Sequence, residues 1–281
     1  MSPPGGREKG HGKDKTHKEH GGGRRLLPPH VEDERQTVPV RQGRVKTQLV
    51  DALKRAAAFS GVEIDAYVAM DNHFHVVCKV VRPEEPVPED ELLRRVAALK
   101  GQRAADELAL HWKDLREIGM ESAVAEAQER LRARMNDISE FMKTFKETFN
   151  VWYKREQKYT GSIWSGRFTS TVVEGGSYRA TCMRYVYLNP VRAGLVARAA
   201  DYPWSWIAAF DAPFEGSVPD GRLMRRVAQI GGGKVFGSEA FVVATAFALG
   251  SLFQSRHVHA RPVEEMGFAT HGWRLAKEAA T

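Results

Sequence analysis

Apolar positions along this chain change period several times, and each change marks an element. From about Arg44 to Phe59, Leu49, Val50, Leu53, Ala56, Ala57 and Phe59 recur at helical spacing, and Gly61 stops the run. Val62 to Met70 then alternates as a strand, Asp71-Asn72 is a turn pair, and His73 to Val81 alternates again. The two strands are expected to form an antiparallel hairpin. Residues 82–135 open on a loop with Pro83, Pro86 and Pro88, then show three helical stretches of mixed charge: Glu91 to Leu99, Ala104 to Leu115 and Glu121 to Met135. They read as a helical insertion. Asp137 stands three residues before Glu140, a helix-opening pattern. The helix that follows carries Ile138, Phe141, Met142, Phe145, Phe149, Trp152 and Tyr153 on one stripe, which reads as core packing. Gly161 to Phe168 leads into a strand ending near Val173, and Gly175-Gly176-Ser177 caps a helix from about Tyr178 to Leu188. That helix is expected to end before Asn189-Pro190, because the residue before a proline disfavours helical geometry. Tyr202-Pro203-Trp204-Ser205-Trp206 reads as a docked aromatic turn.

The ends differ from this middle. Residues 1–42 are rich in Pro, Gly, Lys, His and Arg without apolar periodicity and are expected to be a disordered basic tail. Residues 43–210 form the central domain, with the insertion at about 82–135. Residues 211–281 are expected to be a small helical extension, with Phe236 to Phe241 opening one of its helices. Strands and helices in this order indicate an α+β chain. Hydrophobic residues make up 42% of the 281, enough for a real core. A net charge of +7 leans toward an anionic partner, nucleic acid first. Cys78 and Cys182 are the two cysteines, so no disulfide framework is implied and a cytoplasmic location fits. No apolar run is long enough for a bilayer, so no membrane partner is expected, and the polar N-terminus is not a secretory signal.

Chemistry concentrates at His73-Phe74-His75. Alternation puts His73 and His75 on one face of their strand, with Phe74, Val76, Cys78 and Val80 on the other. Two imidazoles on one face suit a divalent cation. No Cys or His cluster elsewhere in the ordered part completes a zinc tetrahedron. Two imidazoles plus one amide oxygen leave positions open for water and phosphate oxygens, which suits Mg²⁺ or Mn²⁺. Tyr185 and Asn189, four residues apart, are neighbours on a helix, whereas Tyr187 is out of phase and should face elsewhere. Taken by itself, Tyr185 reads as a core tyrosine. Arg167, Lys143, Lys146 and Arg192 are candidate phosphate contacts, or surface charges.

Three blocks in order, Met70 to His75, Gly161 to Phe168 and Tyr185 to Val196, resemble the HUH single-tyrosine transposases, and within them the REP-associated tyrosine transposase branch. The resemblance spans about residues 44–210. It implies a ferredoxin-like antiparallel sheet with packed helices. It also implies metal binding by His73, His75 and Asn189, and attack by Tyr185 on single-stranded or hairpin DNA. The product would be a 5′-phosphotyrosine, formed by a monomer or homodimer. A catalytically silent DNA-binding descendant and a nuclease that uses water are the other readings. Such domains open on a central strand that has no evident counterpart here. Gln36 to Arg41 is the one candidate, and Pro39 restricts it to an edge or a strand end.

Overall fold

The two strands expected on either side of Asp71-Asn72 do pair. They are β2 (Val62–Ala69) and β3 (His73–Val80), antiparallel from Val62 opposite Val80 to Ala69 opposite Phe74, with a register shift between Ile64 and Ala66. The Met70 amide donates to the His73 carbonyl at 2.9 Å and closes the turn. The chain is seen here as a computed structural model that describes residues 30–35, 42–209, 234–236, 238, 240–241, 244–245, 258–262 and 272–277.

The missing strand exists. β1 (His30–Arg35) lies upstream of the Gln36 to Arg41 candidate, inside the stretch expected to be a disordered tail. It is central: antiparallel to β3 on one side and to β4 (Thr169–Val173) on the other. His-Val-Glu-Asp-Glu-Arg has one strongly strand-favouring residue and no alternation, so period arguments pass over it. Ladder bonds to two neighbours hold a segment that its own propensity would not. The other residues of 1–42, apart from Gln42, lie outside the described residues.

Helices follow as the periodicity requires. α1 (Gly43–Ser60) ends at Gly61, which adopts φ 66° and donates to the Ala57 carbonyl. α5 (Ile138–Gln157) opens with Asp137 accepting from the amides of Ser139 and Glu140 at 2.8 and 2.9 Å. Between β3 and α5 stand α2 (Glu89–Lys100), α3 (Gln102–Glu117) and α4 (Glu121–Arg132), the expected insertion. They enclose a cluster of their own around Trp112, Leu92, Val96 and Val124 that reaches Phe59 at the end of α1.

The order β1-α1-β2-β3-α5-β4, with sheet order β2-β3-β1-β4, is the ferredoxin-like arrangement, and its four strands are antiparallel throughout. Both crossover helices pack on one face, where Phe74, Val76, Cys78 and Val80 meet Leu49, Leu53, Phe141, Phe145 and Phe149. α6 (Ser177–Arg192) covers the other face, where Val77 meets Val186 and Cys182.

Two expectations need correcting. The described part of residues 211–281 is not purely helical. It adds β5 (Lys234–Phe236), parallel to β4, then β7 (Gly272–Lys277) and β6 (Val258–Pro262). Lys234, Val235 and Phe236 gain a partner in β4 that no local pattern announces. The expected helix opening holds in part, since Ala240 and Phe241 are helical and the Phe241 amide donates to Ser238 Oγ at 3.3 Å. α6, in turn, does not stop at Leu188 but runs through Pro190 to Arg192. The stop comes from Gly194 (φ 69°), around which the Leu195 amide bonds the Pro190 carbonyl and the Gly194 amide bonds that of Val191. That closing motif stabilises the last turn enough to keep Asn189 helical.

A proline in β1 tests its central place. Glu32→Pro removes one ladder donor wherever its amide points, leaving a carbonyl unsatisfied, so a loss on the order of 2–3 kcal/mol is expected. Urea unfolding measures it. A midpoint equal to that of the unsubstituted chain would show that β1 does not bear on stability.

Candidate functional site

The strand period and the helix period converge on His73, His75 and Tyr185. β3 turns both imidazoles toward the α6 layer, with ring centroids 4.9 Å apart and edge-on. α6 brings the Tyr185 ring to 5.2 Å from that of His75. Tyr185, Asn189 and Arg192 stand at i, i+4 and i+7, one stripe of a helix. Accordingly the Arg192 guanidinium carbon lies 5.3 Å from the Tyr185 ring centre, over its face. Because α6 continues past Pro190, Arg192 stays on that stripe.

Burial sets the electrostatics. His75 is 3% exposed. Its pKa is held down to about 3, first by burial and then by the positive potential of His73 and Arg192. It is therefore neutral at any ordinary pH, as a metal-binding imidazole must be. His73 is half-buried, and its Nδ1 bonds Asn72 Oδ1 at 2.7 Å. Asn189 is buried, and its backbone carbonyl accepts from the Ala193 amide at 3.0 Å. In the β-ladder Asp33 stands opposite His75 and Arg35 opposite His73.

The two tyrosines of α6 part company. Tyr187 stacks on Trp206 at 6.2 Å, its hydroxyl donates to the Asp65 carbonyl at 3.1 Å, and burial pushes its pKa up to about 12. It is a packing residue. Tyr185 is the tyrosine that meets the histidines.

Among the described residues no three His, Cys, Asp or Glu side chains gather into a metal cage. Two imidazoles and an amide are instead the donor set of an open site, with positions left for water and substrate oxygen. The donor types of His73, His75 and Asn189 are ones such a cation accepts.

The remaining basic candidates are dispersed. Arg167 is exposed in the loop before β4. Lys146 donates to the Gly166 carbonyl at 3.0 Å and covers the Trp164 ring at 5.2 Å, so it fixes that same loop. Lys143 is exposed and pairs with Glu140 at 3.6 Å. Both lysines belong to α5, on the layer opposite α6. Cys78 and Cys182 are buried thiols. No described helix is long and apolar enough to cross a membrane.

No family model matches the chain, and no curated protein matches it. Among solved structures, a REP-associated tyrosine transposase bound to a REP hairpin is similar over 73% of this chain and 94% of its own. The TM-score is 0.43 and the sequence identity 15%.

The depressed pKa of His75 makes a pH prediction. The unfolded imidazole takes a proton near 6.5 and the folded one near 3, so the unfolded chain binds more protons between those values. Stability owed to neutral His75 is whole above about pH 6.5 and is lost as pH falls toward about 3, by at most about tenfold in the folding constant per pH unit. Urea midpoints of His75→Gln should fall less steeply than those of the unsubstituted chain over that window. Parallel declines would refute the burial argument.

Proposed function

We propose that this protein is a metal-dependent transposase or nickase of single-stranded or hairpin DNA, acting through Tyr185. The observation that carries this reading is the selective placement of Tyr185 between His75 and Arg192, while Tyr187 is tied into the packing. A phenol has a pKa near 10 and is a poor nucleophile unless the phosphate it attacks is polarised. A divalent cation held by His73, His75 and Asn189 would supply that polarisation.

The chain's own groups do the rest. The Tyr185 oxygen attacks phosphorus, the bond from phosphorus to the 3′ oxygen breaks, and a 5′-phosphotyrosine forms. The phenolic proton leaves and a proton is taken up by the departing oxygen, so a 3′-hydroxyl is released and no cosubstrate is consumed. Arg192, over the Tyr185 face, is placed to accompany the phosphate as its charge redistributes. Arg167, Lys143 and Lys146 would meet the strand further away, where backbone contacts position without reading sequence. The net charge of +7 supports a polyanionic partner. Mg²⁺ or Mn²⁺ is the expected cation, and the cytoplasm the expected setting.

Labelled single-stranded hairpin oligonucleotides, incubated with protein and Mn²⁺ and run on a denaturing gel, test this. A protease-sensitive shifted band is expected with the unsubstituted chain and with Tyr187→Phe, and none with Tyr185→Phe or His75→Ala. Cleavage that survives Tyr185→Phe without any shifted band would assign a hydrolytic nuclease. Binding without cleavage would assign a silent descendant. In the same assay Arg192→Ala should slow adduct formation by about 10²-fold, the scale for removing one charge-stabilising donor. An unchanged rate would remove Arg192 from the reaction.

A further inference from the structure

The turn that presents His73 is held by a buried charge. Lys46, one turn into α1, has a side chain only 5% exposed. Its ammonium pairs with Asp71 Oδ1 at 2.5 Å and donates to the Tyr202 hydroxyl at 3.0 Å. It also lies 4.6 Å from the centre of the Trp204 ring and 5.3 Å from that of Tyr202. The Tyr202 hydroxyl donates in turn to the Ala69 carbonyl at 2.8 Å, and the Ala69 amide donates to the Trp204 carbonyl at 2.9 Å. Trp204 Nε1 returns to α1 by donating to Thr47 Oγ1 at 3.1 Å. Two segments distant in sequence, the start of α1 and Tyr202 to Trp204, are thus tied to the turn between β2 and β3.

Burial alone would lower the Lys46 pKa, but hydrogen bonds to Asp71 and Tyr202 more than offset it, so the group stays charged. An apolar side chain of similar length would fill this space without desolvating an ion pair. What the charge adds is a fixed position for Asp71, and therefore for Asn72, its neighbour. Asn72 Oδ1 stands 2.7 Å from His73 Nδ1. With an amide oxygen as partner, Nδ1 carries the proton and Nε2 keeps its lone pair.

We propose that Lys46 is a positioning residue: through Asp71 it fixes the turn in which Asn72 sets His73 as the Nδ1–H tautomer and leaves Nε2 as the donor atom. The inference rests on the metal-site reading for its purpose, but the tautomer can be measured without metal or activity.

Long-range ¹⁵N–¹H spectra of the imidazoles, recorded on the full metal-free chain at pH 8 with His73→Gln for assignment, give the tautomer directly. The expected result is Nδ1–H for His73 in the unsubstituted chain and in Asn72→Asp, which keeps an acceptor. Lys46→Met and Asn72→Ala should shift toward Nε2–H. Mn²⁺ titrations followed by electron paramagnetic resonance should show those two variants binding about 10- to 100-fold more weakly. An Nδ1–H tautomer retained in Asn72→Ala overturns the proposal, and Asn72 is exposed in a turn, so this variant decides the matter even where Lys46→Met fails to fold. A folded Lys46→Met with the original tautomer and Mn²⁺ affinity overturns the role of Lys46. Expected tautomer shifts in a chain that binds no Mn²⁺ would support the relay while sinking the metal reading of the site.

Discussion

Strand β3 has to be buried on both faces, and the rest of the molecule is arranged around that requirement. On one side its alternate residues Phe74, Val76, Cys78 and Val80 are apolar and are covered by α1 and α5. On the other side the same alternation turns out His73 and His75, and α6 closes over them. Two neighbouring strands, β2 and β1, satisfy its backbone groups, so neither edge of β3 is open. A slip of one residue in register would send both imidazoles into the aromatic core and Phe74 toward α6. The cost of such a slip fixes the histidines more firmly than any contact they make.

Much of this was legible from periodicity. The β2–β3 hairpin, the helices α1 and α5 and the insertion all follow from spacings of two and of 3.6 residues, which belong to local sequence, whereas the approach of Tyr185 to His75 follows from no spacing and was implied only by the resemblance of the three sequence blocks. β1 was not legible, because its strand character comes from partners on either side rather than from His30–Arg35 itself. The strands β5 and β7 likewise lie between two partners, and β6 pairs with β7 alone at the edge of the sheet. The end of α6 was misjudged because a rule about the residue before proline outweighed a glycine four residues further on, and the glycine's capping bonds won. Lys46 carried no signal at all. A lysine in the first turn of a helix reads as a solvated charge until Asp71, Tyr202 and Trp204 are known to surround it.

The extra turn of α6 has consequences beyond its length. Without it Arg192 would lie in a loop, and its direction would not be tied to that of Tyr185. With it, the tyrosine, the amide of Asn189 and the guanidinium are carried on one stripe of one rigid element. Rigid placement of this sort is what positioned chemistry needs, since small misplacements of reacting groups cost large factors in rate.

The two cationic side chains near β3 are handled in opposite ways, and the difference is informative. Lys46 is enclosed and paired with Asp71, so its field is largely cancelled before it reaches the histidines. Arg192 is exposed at its end of α6, and its field does reach them, because it contributes to holding the His75 pKa down. An exposed guanidinium beside a neutral imidazole leaves an uncompensated positive potential at this end of α6. A phosphate beside Arg192 would offset the repulsion between that charge and any positive charge gathered by the histidines, cation included. Under the proposed function, binding of a cation and of a phosphate would be thermodynamically coupled through Arg192, each making room for the other. The pair between the enclosed Lys46 ammonium and the half-exposed Asp71 carboxylate is separate from these charges and anchors the turn that bears His73.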